Sequence, residues 1–435
     1  MKRISLTCLT LLMLSPAPML HAQGAIEGPS GAGGPKVNRS VFQDDAIRAV
    51  TAVTEVFGDG QKVTAAVVEL AEPVSADSVG IGSFTVEERN ILSVRVADTA
   101  DPAAPAASGR FIVIALDPAD AAAPVFGPDL DKAAALIVKM AGPLTFASGA
   151  QVDPGMLGVI NTRTTNVIVD DFRQFRFTDP ETGLTLDYNL YIPKNYDPGQ
   201  SYPLVLFMHD AGVTGSNPRR TLQQGLGAVS FARPEDQARH PAFVLAPQFP
   251  VPLTNDASQT SVYVDLVPRL LAQLAKDYSI DRNRLYTTGQ SGGCMTSIAL
   301  GIAEPDLFAA TLCVAGQWDA SLVAPLAGAK FWAIVSEDDS KAFPGMTAIM
   351  EELAANGAKI ARGQLDAKAP AQDMAQAVAA IRASGTDSNV FFTTFTAGSV
   401  LDPSAPASPG AGHVNTWHHA YTIPALRDWL FEQRK

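Results

Sequence analysis

At 435 residues the chain is too long for one ordinary domain, so two are expected. Apolar residues make up 47% and charged residues 17%, enough for large buried cores, and the formal net charge is −12. An acidic chain without basic runs repels nucleic acid and anionic lipid and is a poor candidate to bind either, so neither is expected as a partner.

Residues 1–22 read as a secretory signal peptide. Lys2 and Arg3 supply the positive start, Ile4 to Leu14 the short apolar run, and Ala22 the small residue at the cut. Leu20 is larger than such a cleavage site prefers, so the cut is placed near Ala22 rather than at it. Cys8 precedes the end of the apolar run, too early for a lipoprotein cysteine. Export to the periplasm or beyond is expected. Cleavage leaves 30 basic against 44 acidic residues, a net charge of −14. No later stretch approaches the ~20 continuous apolar residues that a bilayer demands, so no membrane insertion is expected. Residues 23–42, rich in Gly, Ser and Pro, read as a flexible lead-in.

From 43 to 155 short alternating apolar runs (Val63–Leu70, Ile91–Val96, Phe111–Leu116) are separated by turn residues such as Gly58-Asp59-Gly60 and Asp117-Pro118. That pattern predicts an all-β sandwich. With neither Trp nor Cys in the segment, any immunoglobulin likeness is one of architecture. Asp44–Val56, with its alanines and acidic residues, has a helix as its alternative reading. No chemistry is visible here; the domain is expected to hold a polymeric substrate, to join subunits into a homo-oligomer, or to brace its neighbour.

From 160 to 435 strand-like and helical runs alternate, which predicts a mostly parallel sheet flanked by helices. The strands are placed at Leu184–Ile192, Leu204–His209, Ala242–Pro247, Arg284–Thr288, Ala310–Val314, Phe331–Val335 and Val390–Phe395. Helices are placed at Val262–Tyr278, Ser291–Ile302, Met346–Asn356, Ala369–Ser384 and Ile423–Gln433. Gly215–His240 is read as a structured excursion over the sheet. Cys294 and Cys313, the only cysteines left after processing, read as two buried free thiols, with one bridge between them as the alternative.

Gly289-Gln290-Ser291-Gly292-Gly293 follows one predicted strand and opens a helix, the context of a G-x-S-x-G nucleophile elbow. A serine hydroxyl needs a base to take its proton. Five histidines remain after processing: His209, His240, His413, His418 and His419. The order serine, acid, histidine restricts the base to the last three. His413, in a glycine-rich loop after the last strand, is the candidate; His418 and His419 read as a partly exposed helix start. The acid belongs after Phe331–Val335, where Glu337, Asp338 and Asp339 crowd, and spacing does not choose among them. His209-Asp210-Ala211-Gly212 ends a strand where a loop amide lends itself to an oxyanion hole, with the N–H of Gly292 as partner. His209 reads as a loop brace. Gln290 and Trp318 are candidates to line the substrate site. No metal-ligand spacing appears, and no cofactor is implied.

With VDDFRQFRFTDPETGLTLDYNLYIPKNYD (169–197), YPLVLFMHDAG (202–212), RLYTTGQSGG (284–293), FWAIVSEDD (331–339) and GHVNTWHHAYTIPALRDWLFEQ (412–433), the second domain resembles the α/β-hydrolase esterases grouped with polyhydroxybutyrate depolymerases and "predicted peptidases", most closely those with an N-terminal immunoglobulin-like domain. The resemblance implies Asp339 as the acid, because the family's H-G-x-x-D falls on 335–339. It also implies His413 as base and the N–H of Ala211 as an oxyanion donor. Asp210 and Val335-Ser336 depart from the family's glycine and His-Gly. The expectation is a serine hydrolase of small or polymeric carboxylic esters, with a serine peptidase, a polyester depolymerase and an inactive binding protein as rivals.

Overall fold

A computed structural model describes residues 46–435 apart from 103, 128 and 405–407. The expected signal peptide, its expected cleavage site and the expected lead-in lie outside the described residues.

The first domain is a sandwich. Its larger sheet has the order 163–166, 47–57, 60–75, 108–116, 91–97; the first pair is parallel and the rest antiparallel. The smaller sheet orders 159–160, 137–140, 84–86. Alternate residues from both sheets, including Val50, Val68, Ile112, Phe84 and Val138, share one apolar cluster. That shared interior is what closes a sandwich. Ile47–Phe57 is a strand, not the alternative helix. Its β-branched residues Val50, Thr51, Val53, Thr54 and Val56 favour the pleated chain, and the alanine content does not outweigh them.

The second domain carries a nine-stranded sheet in the order 173–178, 185–191, 243–248, 202–208, 280–290, 310–314, 331–336, 390–395, 360–365. The first two strands run antiparallel; from Phe243–Gln248 onward all pairs are parallel. The central strands are buried along their length, as parallel strands under helices on both faces must be. Helices Leu266–Asp277, Gly292–Ala303, Ala342–Ala355, Ala371–Ser384 and Pro424–Phe431 supply most of that cover. Residues 215–240 fold into three short helices, 220–223, 226–232 and 234–239. The middle one, Leu226–Ala232, is wholly buried.

The excursion is also where the sandwich docks. Val56 of the β domain joins the apolar cluster that holds Val229 and Phe231. The Gln223 amide donates to Gln61 Oε1 at 2.7 Å, and Arg220 pairs with Asp131 while lying over the Phe126 ring. Arg219 pairs with Asp170 between the domains. Among the described residues no helix is long and apolar enough to cross a membrane.

Candidate active site

Strand Ile280–Gln290 ends at Gln290, and the helix starts at Gly292. Ser291, between them, has φ 50° and ψ −118°, a conformation that costs energy for a residue with a side chain. The neighbouring glycines make room for this turn. A Cβ on Gly293 would lie 1.9 Å from the Met208 carbonyl oxygen, and one on Gly289 2.5 Å from the Gly293 carbonyl carbon. The serine N–H is held by Val314 O at 3.0 Å. Its hydroxyl is thus presented at the N-terminal end of the elbow helix (Gly292–Ala303), where the helix dipole favours negative charge.

His413 faces that hydroxyl, with Nε2 2.9 Å from Ser291 Oγ. It stands in the first turn of helix Ala411–Ala420 (the histidine helix) rather than in a loop. Gly410, with φ 85°, turns the chain into that helix, and Gly412 lets it sit against the acid loop. A Cβ on Gly412 would lie 2.6 Å from Asp338 backbone atoms. The imidazole packs edge-on to Trp417, with ring centroids 5.1 Å apart.

Its other nitrogen, Nδ1, meets Asp339 Oδ2 at 2.5 Å. Asp339 is 2% exposed, and its Oδ1 accepts from the N–H groups of Lys341 and Ala342 at 3.0 and 2.8 Å. Burial pushes its carboxyl up, but the hydrogen bonds from His413 and the two amides outweigh it and hold it below the usual carboxylate range. The neighbouring acids are engaged elsewhere. Glu337 binds Gln364, Thr394 and the Ala397 N–H, while Asp338 accepts from the Gly398 N–H.

The loop after strand Tyr202–Met208 brings the Ala211 nitrogen to Gly292, 3.8 Å from where a Cβ on that glycine would stand. Asp210 caps the short turn that follows, its Oδ1 accepting from Gly212 N–H at 2.7 Å. Its Oδ2 accepts from the Gln290 amide at 2.8 Å. Both oxygens are therefore engaged. His209 is fully buried; its Nε2 accepts from the Phe249 N–H at 3.0 Å and its Nδ1 donates to Asp210 O at 2.6 Å.

The two proposed lining residues are inside the protein. Gln290 is 1% exposed and serves as the anchor of Asp210, and Trp318 packs in the apolar cluster with Met295, Ile298 and Val323. His418 and His419 close the histidine helix instead of opening the final one, because the chain stays helical from 411 through Ala420. Burial pushes His418 down to about 4. Cys294 and Cys313 are bonded to each other, which corrects the free-thiol reading. The elbow helix packs over strand Ala310–Val314, so two cysteines 19 residues apart stand with their Cα atoms 4.9 Å apart. Thr254, beside Gly292, carries no sequence signal: a threonine in a 17-residue connection belongs to no pattern. Among the described residues no cluster of His, Cys, Asp and Glu is arranged to hold a metal.

Residues 49–158 match the family of Ig-like N-terminal domains of esterases. The crystal structure of a thermostable esterase is similar over 89% of this chain and 100% of that one, with a TM-score of 0.76 and 26% identity. The chain has the fold of an α/β-hydrolase of the esterase type, preceded by an Ig-like N-terminal domain. Other solved structures resemble this chain more distantly. The feruloyl esterase module from Clostridium thermocellum has 16% identity and a TM-score of 0.38, over 58% of this chain and 88% of that one. The fluorophosphonate-binding serine hydrolase F of Staphylococcus aureus has 10% identity and a TM-score of 0.38, over 60% and 98%. No curated protein matches the chain.

Proposed function

We propose that the protein hydrolyses carboxylic esters through a Ser291–His413–Asp339 triad and an acyl-enzyme. The supporting observation is that one imidazole bridges the other two side chains, 2.9 Å from the serine hydroxyl and 2.5 Å from the carboxylate. His413 Nε2 takes the hydroxyl proton as Ser291 Oγ attacks the ester carbonyl. The carbonyl π pair moves onto oxygen, facing the N–H groups of Ala211 and Gly292. The tetrahedral intermediate collapses, His413 gives its proton to the departing alcohol, and an acyl-serine remains. Water, deprotonated by the same histidine, then releases the acid. Asp339 stays ionised throughout, holding the proton on Nδ1 and stabilising the imidazolium.

The Cys294–Cys313 bridge supports export, since disulfides persist in oxidising compartments. The expected substrates are small or polymeric esters. Hydrolysis of short p-nitrophenyl esters and labelling by a fluorophosphonate probe test the reading. Both are expected in the mature protein and absent in Ser291→Ala, with kcat down by at least about 10⁴-fold. Labelling and turnover that survive the substitution would sink it, and cleavage of peptides but not esters would move the enzyme to the peptidases.

A further inference from the structure

The ground beside Gly292 is open in one particular way. Apart from its chain neighbours and the backbone of its own helix, only two heavy atoms of the described residues come within 4 Å of the point where a Cβ would stand. They are Ala211 N at 3.8 Å and Thr254 Oγ1 at 3.6 Å. The first is already assigned as an oxyanion donor in the proposed reaction. The second is a hydroxyl facing the same space.

Thr254 is anchored at that spot. It follows Leu253, which is 1% exposed in the core beneath the sheet. The Ser261 N–H closes on Leu253 O at 2.8 Å, and Asn255 Oδ1 accepts from Ala257 and Gln259 to shape the tip. Two outside ties reach the same loop: Asp319 N–H donates to Ser258 Oγ at 2.9 Å, and Asp256 pairs with Lys341, two residues after Asp339. The Thr254 hydroxyl itself has a thioether as its acceptor, Met295 Sδ at 3.8 Å. Sulfur of this kind accepts weakly, so the proton is easily redirected to a stronger acceptor.

We infer that Thr254 is a third donor to the oxyanion, through its side-chain hydroxyl. The inference rests on the Ser291 reaction proposed above. Asp210 gives the reason for a third donor. A carboxylate stands one residue before the donor amide, and its field opposes the negative charge that develops on the carbonyl oxygen. A hydroxyl that turns from sulfur to that oxygen offsets the penalty where it arises, in the transition state. Its contribution therefore belongs in kcat and not in KM.

The test compares Thr254→Val, nearly isosteric but without the donor, with Thr254→Ser, which keeps it. On a short p-nitrophenyl ester the valine variant is expected to lose about 10- to 100-fold in kcat with KM little changed. Serine recovers most of that loss. Affinity for a trifluoromethyl ketone, whose hemiketal oxygen imitates the oxyanion, should fall by the same factor as kcat in Thr254→Val. An unchanged kcat, a loss confined to KM, or equal losses in the two variants would each overturn the inference while leaving the triad intact. Wild-type protein lacking Ser291-dependent turnover would remove the triad reading and this one together.

Discussion

Gly58, at the tip of the first hairpin of the Ig-like domain, lies directly against the backbone of His418, five residues beyond His413 on the same helix. A Cβ on Gly58 would stand 2.7 Å from His418 O and 2.8 Å from its Cα. The same glycine's carbonyl faces Gly225, the residue after Gln224, whose side chain meets Gln290 next to the serine. The β domain thus touches the supports of both Ser291 and His413. Gly58→Ala should push the histidine helix away, because backbone atoms cannot yield as a flexible side chain would. The expected cost is about 1–3 kcal/mol of stability, together with a fall in kcat larger than any change in KM. Gly82→Ala, in the same domain with nothing within 4 Å of its Cβ, is the control. Equal behaviour of the two variants in denaturant titration and ester turnover would disconnect the domain from the site.

His418 makes that interface sensitive to acid. Burial is the chief cause of its depressed pKa, about 4, with the charge of Asp59 pulling the other way and His419 and Lys62 reinforcing the shift. The unfolded chain binds the proton from its ordinary value of 6.5 downward, while the folded one resists until about 4. Stability from this group is therefore complete above pH 6.5 and is lost as the pH falls toward 4. The loss amounts to roughly 3 kcal/mol at most. His418→Leu should flatten that part of the stability curve measured in urea at a series of pH values. A slope unchanged by the substitution would assign the acid sensitivity to another group.

What sequence reads well here is whatever is local or periodic. Ser291 is legible because two glycines, a strand and a helix announce the elbow within a few residues. The central strands are legible as apolar runs, and Ala310–Val314 and Val390–Phe395 fall where the pattern puts them. Arg173–Thr178 and Ile360–Leu365 escape because they are the two edges of the sheet, and their arginines, glutamines and glycine interrupt any apolar run. Asp339 is hidden among three adjacent acids; what distinguishes it locally is that it accepts from the amides of Lys341 and Ala342, where helix Ala342–Ala355 begins. The cysteine bridge and Thr254 depend on which elements cross in space, and no spacing along the chain reports that.

The Cys294–Cys313 bridge ties the elbow helix to the neighbouring strand, and both cysteines are completely buried. A Cβ on Gly316 would lie 2.3 Å from Cys294 Sγ and 3.2 Å from Ser291 O, so the bridge is packed beneath the backbone of Ser291. Replacing both cysteines by alanine should cost about 3 kcal/mol for a closed loop of this length, read as a lower denaturant midpoint. Mild reductant should leave the native enzyme active, because neither sulfur is accessible without unfolding. Rapid inactivation by dithiothreitol under native conditions would contradict the burial on which this rests.

His209 should matter to catalysis without touching the substrate. Its Nε2 accepts from the Phe249 N–H, so in the neutral ring the proton lies on Nδ1 and is donated to Asp210 O. Burial, the largest influence on this group, keeps it neutral well below the usual histidine range. In a trans peptide the carbonyl and the next N–H point in opposite directions, and the described chain has no cis bond. Fixing the Asp210 carbonyl on the imidazole therefore turns the Ala211 N–H away from it, toward Gly292. His209→Phe removes both bonds while keeping a ring in the cavity beside Phe249, and the peptide is then free to rotate. The expected result is a fall in kcat of about 100-fold with KM nearly unchanged, and slower phosphonylation of Ser291 by the same probe. A variant that folds and keeps its kcat would show that the Ala211 amide holds its orientation by other means.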